Sequence, residues 1–299
     1  MNTWKAVAAI AAAVWPGLVL ACGGHGSAQT LIVSTEWLAA HLKDPNVVVL
    51  AVGSQADYDE GHIPGSVYVN YQEVAPKGTN GLSAELPPMP RLAELFGKMG
   101  VSTGSRVIVY RLNDTLTQAA RVVVTLDAMG MGQSTSLLDG SMREWKGEGR
   151  TVSKEAPAVK PGTLEPCPQT DVIADLNFVS KNLKSADVRI VDARAPEFYQ
   201  GTSSRPGLVP GHIAGATNVY FNSLFDGAGK LLPMPKLQAQ FIAAGVKPGD
   251  VVVSYCFIGQ QASALYVVSR YLGYDTRLYD GSWEEWTRHP GLPTAKAGQ

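Results

Sequence analysis

Cysteine is scarce in this chain, and neither sign of charge is in excess. The 299 residues include three cysteines, Cys22, Cys167 and Cys256, too few for a disulfide scaffold or a cysteine-built zinc cage. Lys and Arg number 25 against 26 Asp and Glu, a net charge of −1. No field of the whole protein is therefore available to attract nucleic acid or an anionic membrane surface. Charged residues make up 17% and apolar residues 45%, which excludes a disordered or fibrous chain and provides for a real core. The length accommodates two domains of roughly 120 to 130 residues.

A membrane-length apolar run is also missing from the N-terminus. Ala6 to Leu20 is uncharged and apolar but is interrupted by Pro16 and Gly17 and preceded by Lys5; it has the length of a signal-peptide core and is short for a span. Residues 1–28 are expected to be a signal peptide, and the chain to be exported to a periplasm. Two cleavage sites compete, with an uncleaved anchor as the alternative. Val19-Leu20-Ala21-Cys22 resembles a bacterial lipoprotein box, with Cys22 as the lipidated residue and the sole membrane attachment. Gly26-Ser27-Ala28 fits ordinary signal peptidase.

What the sequence does have is a duplication. Gly61-His62-Ile63-Pro64-Gly65 recurs as Gly211-His212-Ile213-Ala214-Gly215, and Pro88-Met89-Pro90 as Pro233-Met234-Pro235. The run from Gly104 to Tyr110 matches that from Gly249 to Tyr255, and Asp139-Gly140-Ser141 with Trp145 matches Asp280-Gly281-Ser282 with Trp286. Four landmarks in one order, at offsets drifting from 150 to 141, mean two tandem copies, since the period is too long for a solenoid. The copies are expected at 30–150 and 170–290, with a proline-rich linker at 151–169 and a tail at 291–299. Short β-branched runs at Val47 to Val52, Val107 to Tyr110, Val188 to Asp192 and Val251 to Tyr255 alternate with helix-length stretches. That pattern predicts an α/β fold, each copy a mainly parallel sheet covered by helices on both faces. Ligands in such sheets bind beyond the carboxyl ends of the strands.

One nucleophile stands at such an end. Cys256 follows the strand ending at Tyr255, and Phe257, Ile258, Gly259, Gln260 and Gln261 lead into a helix closed by Gly273. Loop amides and the positive end of the helix dipole are expected to converge on the sulfur, favouring a thiolate and any anion that approaches it. In the first copy the matching position is Arg111, which stays protonated and cannot act as a nucleophile. The first copy is therefore expected to be silent, contributing packing and a basic side chain near the cleft.

Taken in order, the two Gly-His-Ile-x-Gly motifs, Val191-Asp192-Ala193-Arg194, the Cys256 loop and the Asp280-Gly281-Ser282 turn with Trp286 resemble a two-domain rhodanese, a sulfurtransferase. The resemblance covers nearly all of residues 30 to 290. It implies that Cys256 takes a sulfane sulfur from a small anionic donor, thiosulfate or 3-mercaptopyruvate, and passes it as a persulfide to a thiophilic acceptor such as cyanide or a thiol, with no cofactor and no metal. It further implies that Arg194 helps hold the donor, a planar guanidinium being suited to two oxygens, while Asp192 is structural.

The loop departs from the family pattern in carrying no charge, so donor binding rests on Phe257, Ile258, Gly259, Gln260 and Gln261 together with Arg194. A cysteine phosphatase or arsenate reductase could use the same cradle, but its loop would close with Arg where this one has Gln261. A sulfur carrier or anion-binding module is the non-enzymatic alternative. Cys167, the other thiol beyond the leader, is a candidate for a mixed disulfide with Cys256. His62 and His212 occupy matched positions in the silent and active copies, which favours a structural turn, and Trp145 and Trp286 are expected in the core.

Overall fold

The structure is a computed structural model that describes residues 31–113 and 116–296; the leader, including Cys22, lies outside them. Each half builds one five-stranded parallel sheet. In the first, β1 (Ile32–Ser34), β2 (Val47–Val52), β3 (Val67–Val69), β4 (Arg106–Arg111) and β5 (Thr135–Ser141) lie in the order β1-β5-β4-β2-β3. Helices α1 (Thr35–His41), α2 (Gln55–Glu60), α3 (Tyr71–Val74), α4 (Met89–Lys98), α5 (Leu116–Leu126) and α6 (Met142–Gly147) connect or follow them. In the second half β6 (Ile173–Ala174), β7 (Val188–Asp192), β9 (Thr217–Asn218), β10 (Val251–Tyr255) and β11 (Asp275–Tyr279) repeat the order as β6-β11-β10-β7-β9. Its helices are α7 (Leu176–Lys181), α8 (Pro196–Gln200), α9 (Met234–Ala243), α10 (Gln260–Tyr271) and α11 (Ser282–Trp286). The residues after 290, expected as a tail, instead form β12 (Thr294–Ala295), which pairs antiparallel with β8 (His212–Ile213).

The strands read as continuous apolar runs because both faces of each sheet are covered. Leu50 and Val52 of β2 and Val107 and Val109 of β4 face one side, while Val49, Ala51, Ile108 and Tyr110 face the other. The first of these layers does not stop at the domain boundary. Val52, Val109, Ala120 and Val124 belong to one core with Val252, Leu265 and Val268 of the second half, because α5 and α10 pack directly on each other. At the far end of that contact the Tyr266 hydroxyl donates to Asp127 Oδ2 at 2.5 Å, and Arg270 pairs with the same carboxylate.

The repeated motifs do the same local work in each half. His62 stacks on Tyr58 with ring centroids 3.9 Å apart, His212 on Tyr199 at 3.8 Å, and each ring nitrogen Nδ1 meets the carbonyl of its tyrosine. The Ile63 amide donates to the Tyr110 hydroxyl and the Ile213 amide to the Tyr255 hydroxyl, both at 3.1 Å. The glycine-histidine-isoleucine turn is thus a structural fastening in both copies, and Trp145 and Trp286 are buried as expected.

The Asp-Gly-Ser turn has a second role that crosses the interface. Asp139 accepts the amide of Leu231 at 3.0 Å, and its repeat partner Asp280 accepts the amide of Leu86 at 2.9 Å. Each domain therefore clasps a loop of the other through the equivalent carboxylate. The linker is laid along the first domain rather than hanging free: Ser153 pairs with His62, Gly162 donates to Gly97, and Cys167 to Met129.

Replacing Asp127 with Ala removes the carboxylate that both Tyr266 and Arg270 use across the interface. Breaking a buried ion pair of this kind typically costs about 3–5 kcal/mol. Urea unfolding should show that loss together with separation of one transition into two.

Candidate active site

The loop after β10 is shaped mainly by the turn after β11. Ser282 Oγ accepts the Cys256 amide at 3.2 Å and donates to the Tyr279 carbonyl at 2.8 Å. The amides of Trp283 and Glu284 take the carbonyls of Cys256 and Phe257, each at 3.0 Å. Ser282 adopts a left-handed φ of 51° to make these bonds, a conformation a non-glycine residue keeps only when its surroundings hold it there. The carbonyls of Cys256 and Phe257 are thus spent on the turn. Among the described residues the amides of Phe257, Ile258, Gly259, Gln260 and Gln261 donate to no protein acceptor.

Five consecutive free amides at the start of a twelve-residue helix make an anion cradle, with the helix dipole adding to their pull. Gly259 turns the chain into the helix at φ 78°, and a Cβ there would lie 2.8 Å from Arg121 Nη1 and 3.0 Å from the Asp280 carbonyl. Both conformation and space require glycine.

Cys256 lines a cavity of about 160 Å³ together with Phe257, Ile258, Gln260, Gln261, Thr117, Phe221 and Arg205. That volume is small beside the roughly 300–1,000 Å³ of pockets for drug-sized ligands. Cys256 is buried and is a free thiol, whereas Cys167 is itself disulfide-bonded. The suggested mixed disulfide between them is therefore not formed. Gln260 is a wall residue whose side-chain amide is committed to Thr117 Oγ1 at 3.0 Å, while the Gln261 carbonyl oxygen is buried without a partner.

Arg194 is not where the sequence reading placed it. Arg194 is buried and is not among the residues that line the cavity; its guanidinium is held by both oxygens of Asp192 and by the Gly211 carbonyl at 2.8 Å. It is boxed by the rings of Trp283 and Phe257, with Cζ 4.9 and 5.0 Å from their centroids. Burial lowers its pKa, but the Asp192 carboxylate outweighs that and holds it above the ordinary arginine value. Arg194 props Phe257 from beneath and does not line the cavity. The cation at the mouth is Arg205, which sequence reasoning missed. It is exposed, its Cζ lies 3.7 Å over the Phe257 ring, and it has no carboxylate partner among the described residues. Arg205 lies in an irregular stretch between α8 and β8 with no motif around it, so only its placement reveals it.

The equivalent loop of the first domain holds no thiol. Arg111, buried at the end of β4, donates to the carbonyls of Ala228 and Gly229 in the second domain at 3.1 and 3.0 Å. It lines a second recess that shares Thr117 and Phe221 with the Cys256 cavity. Arg111 is thus a strut between the two domains.

A Rhodanese-like domain family profile matches residues 34–148 and 175–289. The chain belongs to the rhodanese family. It is 29% identical over 266 residues to a thiosulfate sulfurtransferase of Azotobacter vinelandii, covering 88% of this chain and 96% of that protein. A sulfur carrier protein, TtuD, of Thermus thermophilus is 30% identical over 282 residues, covering 89% and 96%. A rat 3-mercaptopyruvate sulfurtransferase is 30% identical over 274 residues, covering 85% and 91%. Among solved structures, SseA from Escherichia coli, a 3-mercaptopyruvate sulfotransferase, superposes with a TM-score of 0.74 at 25% identity, covering 84% of this chain and 98% of that one. A complex of EanB with ergothioneine reaches 0.80 at 19% identity, covering 90% and 71%, a likeness of fold alone. In this rhodanese the two family domains coincide with the two sheets, and the free thiol lies in the second.

Changing Arg194 to Ala leaves the Asp192 carboxylate buried without its main cation, so this rhodanese should lose about 3–5 kcal/mol of stability. Thermal unfolding measures it. An unchanged melting temperature combined with weaker donor binding would instead return Arg194 to the binding site.

Proposed function

We propose that this rhodanese transfers a sulfane sulfur from thiosulfate, or from 3-mercaptopyruvate, through a persulfide on Cys256. The observation that carries the reading is the run of five free amides that directly follows Cys256, the one free thiol among the described residues, at the end of β10. The Cys256 thiolate attacks the outer sulfur of thiosulfate, forming a new S–S bond as the old one breaks, and sulfite leaves with the bonding electron pair. The persulfide terminus is an anion, and loop amides with the helix dipole are suited to stabilise it. Cyanide then attacks the outer sulfur and departs as thiocyanate, returning the thiolate; a thiol acceptor would leave as a persulfide. Arg205 replaces Arg194 as the group proposed to hold the donor's oxyanion or carboxylate. The relatives named for thiosulfate and for 3-mercaptopyruvate sulfur transfer support the same reaction class.

A phosphatase reading fits less well. The loop ends in Gln261, with no guanidinium closing it over a tetrahedral oxyanion, and Arg205 reaches the cavity from a different segment.

Export is part of the same proposal and rests on the leader. The mass of the N-terminal peptide decides: a diacylated Cys22 gives a periplasmic lipoprotein, a start after Ala28 gives a soluble exported form, and an intact Met1 refutes both cleavage readings and leaves an uncleaved anchor.

Two measurements check the chemistry. Protein incubated with thiosulfate and desalted should carry one added sulfur, about 32 Da, that cyanide removes and that Cys256→Ser lacks; an absent adduct refutes the reading. Arg205→Gln should raise KM for thiosulfate about tenfold with kcat little changed, the loss expected for one charge-assisted hydrogen bond.

A further inference from the structure

We infer that Arg121 of α5, in the thiol-less first domain, is a positioning residue for sulfur transfer at Cys256. The inference rests on the persulfide reading above and concerns what holds its loop in shape.

Thr117 and Arg121 stand one turn apart on α5, so both face the same way. Both reach the Cys256 loop. Thr117 lines the cavity and accepts the side-chain amide of Gln260 at 3.0 Å. Arg121 is wholly buried beneath the loop, where Nη1 approaches Asp280 Oδ1 to 2.5 Å and Nη2 donates to the Ala84 carbonyl at 2.7 Å. The same Nη1 fills the space a Cβ on Gly259 would need.

Asp280 is the hinge of this arrangement. Its other oxygen accepts the Leu86 amide, two residues from Ala84. Its chain continues into Ser282, Trp283 and Glu284, which hold Cys256 and Phe257 by their backbones. A single ion pair thus links the first domain, the turn that takes the loop carbonyls, and the glycine that starts the helix. A guanidinium taken entirely out of water is expensive to bury, and here Nε and Nη1 make no hydrogen bond among the described residues, so the charge of Asp280 and the Ala84 carbonyl are what hold it in place. Burial acts against its charge, yet Asp280 keeps its pKa above the ordinary arginine value.

The duplication shows that this cation is not demanded by the fold. In the register that matches Tyr110 with Tyr255, Arg121 corresponds to Tyr266. The second domain therefore returns a phenol to the first, while the first gives a charged guanidinium to the one loop that carries a thiol. The expected consequence is separable from donor binding: Arg205 governs KM, whereas the loop set by Arg121 governs the chemical step.

The test uses the full chain with Arg121→Met and Asp280→Asn together, which removes both buried charges at once, and Arg121→Lys as the conservative variant. Kinetics with thiosulfate and cyanide are normalised to chains that load sulfur, and melting is followed in parallel. The expected result is a cooperative melt, kcat at least tenfold lower in the double variant, KM within about threefold, and most of kcat recovered by Arg121→Lys. Thr117→Val, a milder change on the same face, should lower kcat about two- to fivefold and keeps the inference testable if the double variant does not fold. Wild-type kcat in the double variant, or in Thr117→Val when the double variant is unfolded, overturns the inference; so does a loss confined to KM. Failure of the wild-type chain to load sulfur would refute the persulfide reading itself, a result distinguishable from either.

Discussion

The packing of α5 on α10 is the contact on which the rest of the molecule depends. Each of these helices leaves the end of the equivalent central strand, and each carries the loop that could serve as an anion site. By lying against each other they merge one layer of both sheets into a single core. Asp139 then takes Leu231 of the second domain, and Asp280 takes Leu86 of the first. Neither loop is therefore shaped by its own domain alone, and a duplicated fold becomes one unit with the Cys256 cavity at the seam.

Within that near-symmetry the two loops have opposite fates. At the end of β10 a small thiol faces free amides. At the end of β4 the long Arg111 side chain crosses to carbonyls of the partner domain and ties it in place. The same backbone position thus carries either a free thiol or a strut. Charge follows the same division: Arg121 beneath the loop and Arg205 at its mouth supply locally what a net charge of −1 cannot supply globally.

The architecture was legible because duplication writes each constraint twice. His62 and His212 recurred in a copy with a nucleophile and a copy without one, which marked them as structural, and their stacking on Tyr58 and Tyr199 gives the reason. Cys256 was legible from its place between a strand and a helix. The role of Arg194 was not, because sequence does not show that Asp192, two residues back at the strand end, folds onto the guanidinium and buries it. Arg205 lacked any pattern, since the coil carrying it is placed by tertiary contacts alone. The paired Asp-Gly-Ser turns were visible as a repeat, yet their reach into the opposite domain depends on how α5 and α10 dock, which neither copy reveals by itself.

The count of transferable sulfur per chain tests this account most directly. After loading with thiosulfate and removal of excess donor, cold cyanolysis releases the bound sulfane sulfur as thiocyanate, which can be quantified against protein. One per chain, abolished by Cys256→Ser, is the value expected of a duplicated fold with a single working loop. None per chain, or one that survives Cys256→Ser, would contradict it.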